Sequence, residues 1–400
     1  MKLPSFNFKT TFIASILILA FVLGALYTQR TETIKNIGTL TEPFYGIHQS
    51  GIDTKKQANL TLLAFDLLPN SSKESSARLM RLWTNDSANL TSGKEVIGDI
   101  NPGMEANPAR LTVTFGFGHS FFKKIGIPNS WPLEEVDIPA YPNIDKLENQ
   151  WNGGDIVVQI CGDDPLAIFH LAAVIKKDGM PFARIKWQQR GFLNAAGVNE
   201  KMTGRNLLGQ LDGTANPDPA SKEFSSRVWR SDGSTVMVVR RIQMAIENWD
   251  RLSTDRKARV TGRKILTGAP INGSNEKSPV NKASLAPNSH VGISFTSNNS
   301  GIFRRGFNYD DGYFPDGTRN AGLIFISFQE SLKRYTNLQK KLASIDALNT
   351  WTTPIGSGLY YVPKGVIENK QDWILIGVSP LYIDRKSTRL NSSHTDISRM

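Results

Sequence analysis

"DIVVQICGDDPLAIFHLAAVIKKDGMPFARIKWQQRGF", residues 155–192, reads as strand, helix and strand in succession. The runs 155–162 and 182–192 are short and rich in β-branched and aromatic residues, whereas 164–177 repeats its apolar residues at helical spacing. Upstream, "ANLTLLAFDLL" (58–68) reads as a strand, "SSKESSARLMRLWT" (71–84) as a helix and "RLTVTFGFG" (110–118) as a strand. The order is therefore β-α-β-β-α-β, the ferredoxin-like arrangement of an antiparallel sheet with helices on one face.

Downstream the pattern recurs. "TVMVVRRIQMAIE" (235–247) alternates at period two, "STDRKARVTGR" (253–263) opens on a Ser/Thr cap, and "HVGISF" (290–295) and "GLIFISF" (322–328) read as short strands. A helix at 330–343 carries Leu332, Tyr335, Leu338 and Leu342 on one stripe, expected to be core, and "GLYYVP" (358–363) closes the set. The fold class is α+β, with two ferredoxin-like domains at about 44–200 and 201–383. The Gly-, Asn-, Pro- and Ser-rich stretches between 190 and 234 mark the boundary, and a second polar stretch, 272–289, leads into His290.

The two ends differ from this body. Residues 1–30 place Lys2 and Lys9 before an apolar run from about Phe12 to Tyr27, the layout of a secretory signal or membrane anchor. No clear Ala-x-Ala site follows, so cleavage and tethering both stay open. Residues 384–400 lack apolar periodicity, and one choice of codons for Asp384 to His394 spells a sequencing-library adapter; the segment is expected to be a non-native tail. Its four basic and two acidic residues contribute +2 of the formal +11, leaving +9. The Lys and Arg residues are scattered rather than gathered in one stripe, so no nucleic-acid partner is expected. Cys161 is the single cysteine, which excludes an internal disulfide.

Motifs for zinc hydrolysis, serine-triad hydrolysis and phosphate-loop chemistry are absent from the sequence. With His394 in the tail, the candidate histidines are His48, His119, His170 and His290. His170 lies on an apolar helix and reads as a packed histidine, and His119 follows a Gly-Phe-Gly turn that it closes. His290 ends a long loop and precedes "FRRGFNYDDG" (303–312) with its paired arginines. In "NLLGQLDGTANP" (206–217), Asp212 stands between Gly209 and Gly213, either as an ordinary turn aspartate or as a placed acid.

Together these segments resemble one family. "RNLLGQLDGT" (205–214) is similar to the Gly-x-x-Asp-Gly motif of dye-decolourising haem peroxidases. The resemblance continues through "WNGGDIVVQICGDDP", "VVRRIQMAIENWDR", "TGAP", "FRRGFNYDDG" and "AGLIFISFQ", over about residues 44–370. It is closest to the exported subgroup linked to iron uptake, the deferrochelatase/peroxidases.

The resemblance implies one haem b per chain, in a cleft on the second domain. It makes His290 the proximal iron ligand, Asp212 the acid/base that shuttles the peroxide proton, and Arg304 the charge stabiliser, with Arg305 as the alternative. Gly213, Thr214 and Ala215 should line the haem, as should Phe295, Thr296 and Ser297; one face of 322–328, Leu323 with Phe325 or Ile326 with Phe328, should pack on it or on the core. The implied partners are hydrogen peroxide, an unidentified reductant, iron-uptake permeases and a second copy of the chain in a dimer. Exported members carry a twin-arginine leader, and this leader has no arginine pair. A peroxidase, a deferrochelatase that removes iron from haem, and a non-catalytic haem carrier of the cell envelope are the three functions this reading allows.

Overall fold

A computed structural model describes residues 17–21, 37–99, 101–196, 198, 203–295, 301–368 and 372–375. The tail 384–400, and the leader apart from 17–21, lie outside these residues; among the described residues no helix is long and apolar enough to cross a membrane.

The first unit runs β1 (Asn59–Leu67), α1 (Lys73–Thr91), β2 (Thr112–Phe117), α2 (His119–Lys124), β3 (Ile156–Gly162), α3 (Pro165–Gly179) and β4 (Ala183–Phe192). Local chemistry sets its helix ends. Ser72 and Ser75 close a reciprocal capping box at the start of α1, and the Asp164 side chain accepts the Leu166 N–H before Pro165 opens α3. β1, β2 and β3 are buried almost throughout, as strands covered on both faces must be. Their antiparallel order is β2-β3-β1-β4, with Leu60 opposite Cys161 and Val113 opposite Ile160.

The second unit runs α4 (Lys222–Val228), β5 (Thr235–Met244), α5 (Ile246–Asp250), α6 (Thr254–Thr261), α7 (His290–Phe295), β6 (Phe303–Arg304), β7 (Phe307–Tyr313), β8 (Arg319–Gln329), α8 (Leu332–Ile345) and β9 (Thr352–Val362). Its sheet order, β9-β5-β8-β7, repeats that of the first, and β6 shares an edge of β8 with β7. The chain thus holds two ferredoxin-like units. Single pairs at two corners, Phe117 with Tyr361 and Phe192 with Asn308, join the sheets into a ring.

One expectation is corrected, and strand β7 has no counterpart among the expected elements. "HVGISF" is helix α7, not a strand: the Ile293 N–H reaches Ser289 O at 3.0 Å, and Gly292 packs so closely on Ala286 O that a Cβ would meet it at 3.0 Å. Six residues, of which Val291, Ile293 and Phe295 are β-prone, are too few for periodicity to separate strand from helix, and packing on α8 decides. The strand that fills this place in the sheet is β7, "FNYDDGY", whose acidic end hides its apolar start.

The two sheets face each other across a core that includes Leu62, Met237, Tyr309, Ile326 and Tyr360. On the outer face of the first sheet, α1 and α3 bury Leu79, Trp83, Leu171 and Ile175 against Phe65, Phe115 and Ile160. Over the second sheet a smaller cluster, including Met244, Trp249, Val260 and Leu348, stands beside a large opening.

Candidate active site

That opening is a cavity of about 640 Å³, within the ~300–1,000 Å³ range of small-molecule and cofactor sites. Leu323 and Phe325 of β8, together with Tyr335, Leu338 and Leu342 of α8, form apolar wall. The α8 stripe does point inward, but from Tyr335 to Leu342 it lines a cavity rather than closing a dry core. On β8 the faces separate as period two requires: Leu323 and Phe325 face the cavity, while Ile326 and Phe328 are buried between the sheets.

Asp212 is held by a tightly pinned loop. The Asn206 side chain accepts the N–H groups of Leu208 (3.1 Å) and Gln210 (3.2 Å), and the Asp212 N–H donates to Gly204 O at 2.8 Å. Arg205 ties the loop to the next segment through Gly209 O (2.5 Å) and Ile265 O (2.7 Å). Gly213 has φ +126°, a conformation that side chains resist, which explains the glycine after the acid. The Asp212 carboxylate then accepts from Arg304 Nη1 at 2.9 Å, and both side chains line the cavity. Asn216 clamps the Arg304 backbone from both sides, giving an N–H to its carbonyl (2.7 Å) and taking its N–H (3.0 Å).

The two arginines of the pair therefore part company. Arg305 is fully buried and donates to Thr54 O at 2.5 Å and to Gln57 Oε1, so it fastens the strand to residues 52–57 and does not reach the cavity. A third cation stands near Asp212. Lys56 Nζ lies 3.9 Å from where a Cβ on Gly213 would sit. Burial, helped by the charges of Arg305 and Arg304 and opposed by Asp212, lowers its pKa to about 8.

His290 opens α7 and lines the same cavity. Its Nδ1 lies 2.6 Å from Oδ2 of Asp346, a buried residue at the end of α8 whose Oδ1 accepts the Leu348 N–H at 2.9 Å. A carboxylate can only accept, so Nδ1 carries the proton and Nε2 keeps its lone pair for a metal. Arg227, Arg263 and Lys264 also line the opening and supply positive charge for an anionic ligand. Apolar walls, an imidazole with a free Nε2 and cations for two propionates all suit haem.

The other expected residues divide. Thr214 and Ala215 line the cavity, and Thr214 donates to Glu276 at 2.7 Å; Phe295 lines it too, whereas Thr296 and Ser297 lie outside the described residues. His48 stacks on Trp229 at 3.7 Å and His119 packs edge-on to Trp131, both away from the cavity; His170 is buried in the first unit. Sequence reasoning did not name Asp346, Asn216, Lys56 or the cations at 227, 263 and 264. Asp346 carries only the signal of a helix end, and Asn216 that of a turn.

Residues 49–193 and 203–367 match the family models described as "Dyp-type peroxidase, N-terminal" and "Dyp-type peroxidase, C-terminal". The dye-decolorizing peroxidase of Thermobifida fusca (strain YX) is 33% identical over 349 residues, covering 79% of this chain and 80% of that one. The deferrochelatase of Escherichia coli (strain K12) is 32% identical over 382 residues, covering 85% and 89%. Among solved structures, ferric DtpA from Streptomyces lividans superposes with a TM-score of 0.83 at 34% identity, covering 88% of this chain and 99% of that one. The DyP-type peroxidase from Cellulomonas bogoriensis gives 0.81 at 33%, covering 84% and 98%.

Proposed function

The chain belongs to the Dyp-type peroxidase family and is a haem peroxidase, and we propose that it reduces hydrogen peroxide at one haem b held by His290, with Asp212 and Arg304 acting on the peroxide. The observation that carries this is a single cavity lined by a carboxylate-backed histidine and by a carboxylate paired with an arginine. When bound, haem would supply the redox centre at which peroxide is reduced by two electrons.

The chain's own groups do the rest. His290 Nε2 would hold the haem iron, with Asp346 fixing the tautomer of the ring and raising its basicity. Asp212 accepts the proton from one peroxide oxygen and returns it to the other, so that water can leave. Arg304 holds its charge beside Asp212 at 2.9 Å and balances the negative charge that develops as the O–O bond breaks. Arg227, Arg263 and Lys264 take the propionates. Lys2, Lys9 and the apolar stretch after them support export to the cell envelope, secreted or tethered; a link to iron uptake and a dimeric assembly belong to the same proposal and rest on the family resemblance alone.

A second reading, release of iron from haem with the porphyrin intact, is supported by the relatives named deferrochelatase. One experiment separates the readings. The chain is loaded with haemin, its Soret band recorded, and the first peroxide-dependent spectral change followed by stopped flow beside dye oxidation. His290→Ala should lose the Soret band. Arg304→Leu and Asp212→Asn should keep it and slow the peroxide step by roughly 10²–10³-fold and 10²–10⁴-fold respectively. Wild-type rates in both variants would remove the assigned roles. Iron-free porphyrin without dye oxidation would establish the second reading, and neither product would leave a carrier.

A further inference from the structure

Of the three histidines that lie away from the cavity, His170 is the buried one. It lies on the inner side of α3, 2% exposed, and faces the segment that follows α1. Its Nε2 approaches Oδ2 of Asp99 to 2.8 Å, yet neither atom makes a hydrogen bond of proper geometry among the described residues. At that distance the failure is one of direction: the ring N–H axis does not point at the carboxylate. Glu105, 8% exposed, completes the group, and one donor atom from each of the three lies within 4.8 Å of the others.

The remaining oxygens are already committed in a way that turns the free ones inward. Asp99 Oδ1 accepts the Asn101 N–H at 2.9 Å, and Glu105 Oε2 accepts the Gly103 N–H at 2.7 Å. Lys177, whose charge also favours the ionised Asp99 carboxylate, makes its own contacts outside the group, donating from Nζ to Gly98 O at 2.5 Å and pairing with Asp178 at 3.5 Å. The buried Nε2 of His170, without a well-directed hydrogen bond among the described residues, and the two carboxylates beside it form a set of lone-pair donors that share no acceptor. A divalent cation would give Nε2 a partner along its lone pair and offset the negative charge of the carboxylates.

We propose that Asp99, Glu105 and His170 bind one divalent first-row transition cation, of the zinc or manganese class, in the first ferredoxin-like unit and separate from the haem cavity. One nitrogen and two oxygen donors suit these ions, with water completing the shell from the partly exposed Asp99 side. Metal bonds of about 2.0–2.2 Å require donor atoms roughly 3–4 Å apart, which small side-chain rotations provide from the present spacing. The ion would fasten the segment around Asp99 and Glu105 to α3.

The test uses the full haem-loaded chain, dialysed against EDTA and titrated with ZnCl2 and, separately, MnCl2. We expect one Zn²⁺ or Mn²⁺ retained per chain after desalting, with an unchanged Soret band. His170→Gln and Glu105→Gln should each weaken retention at least ~100-fold, since even the loss of an outer-shell partner costs ~10–100-fold. Zinc-edge X-ray absorption of the wild type should show a nitrogen/oxygen shell with one imidazole and no sulfur. That measurement decides the matter if the variants fail to fold. No retained metal, retention unchanged in both variants, or a shell with two or more imidazoles would overturn the proposal.

Discussion

The two ferredoxin-like units share a strand order and differ in what lies over the sheet. In the first, α1 and α3 sit directly on the strands: Trp83 is fully buried, stacks on Phe115 at 5.9 Å, and donates its indole N–H to Ile175 O at 3.0 Å. In the second, the loops 203–217 and 262–289 with α7 hold the covering elements apart, and a cavity of about 640 Å³ takes the place of a dry core. The same topology thus yields a structural half and a chemical half. The polar groups Asp212, His290, Arg304 and Asp346 of the cavity come from the loop 203–217, the start of α7, the short edge strand β6 and the end of α8, not from the central strands shared by both units.

Core truncation should break this contrast most visibly if it is wrong. Trp83→Ala removes a close-packed indole and should cost about 3–5 kcal/mol in urea unfolding, whereas Leu338→Ala, on the cavity wall, should cost the haem-free chain only ~1–2 kcal/mol. Equal costs would mean that the second unit packs as tightly as the first. A smaller effect isolates the histidine's support. Asp346→Asn keeps the shape but exchanges a carboxylate for an amide beside Nδ1, and haem dissociation, read by transfer to apomyoglobin, should speed up ~10–100-fold with little change in haem-free stability.

The finest contrast is in pH. In the first unit, burial and the hydrogen bond and charge shared with Asp178 hold the Asp86 carboxyl well above the usual carboxylate range. A raised folded pKa contributes stability at acid pH that is lost as pH rises toward neutrality and above. Asp86→Asn should therefore match the wild type near pH 4 and exceed it by about 1 kcal/mol at pH 8. Lys56, beside the cavity, has the opposite sign. With its pKa lowered to about 8, its ammonium costs stability below that pH, and the cost fades as pH rises through 8 toward the unfolded value. Lys56→Met should gain about 1 kcal/mol at pH 7, discounted for partial exposure, and nothing at pH 10. Melting curves of both variants across pH 4–10 should thus diverge from the wild type at opposite ends. Parallel curves would dissolve the distinction between the halves.

Much of this was legible in order along the chain. Strands β1, β2, β3, β4, β5, β8 and β9 and helices α1, α3, α6 and α8 follow from apolar period and caps, because those signals join residues a few positions apart. Asp212, Arg304 and His290 stood out through motif resemblance. What local signals could not resolve was α7 against a strand, or the stripe of α8 as cavity wall rather than core, since both depend on what packs opposite.

By itself, then, the sequence determined the two repeated units and the glycine-flanked loop of Asp212, and its resemblance to a family singled out Asp212, Arg304 and His290 as candidates. Tertiary structure alone decided which carboxylate backs His290, which arginine of the pair meets Asp212, and that Lys56 joins them. Those partners are separated by 56 residues for His290 and Asp346 and by 92 for Asp212 and Arg304. No periodicity or cap reaches across such intervals; only closing the two sheets into a ring and holding the loops off the second sheet brings these groups to one cavity.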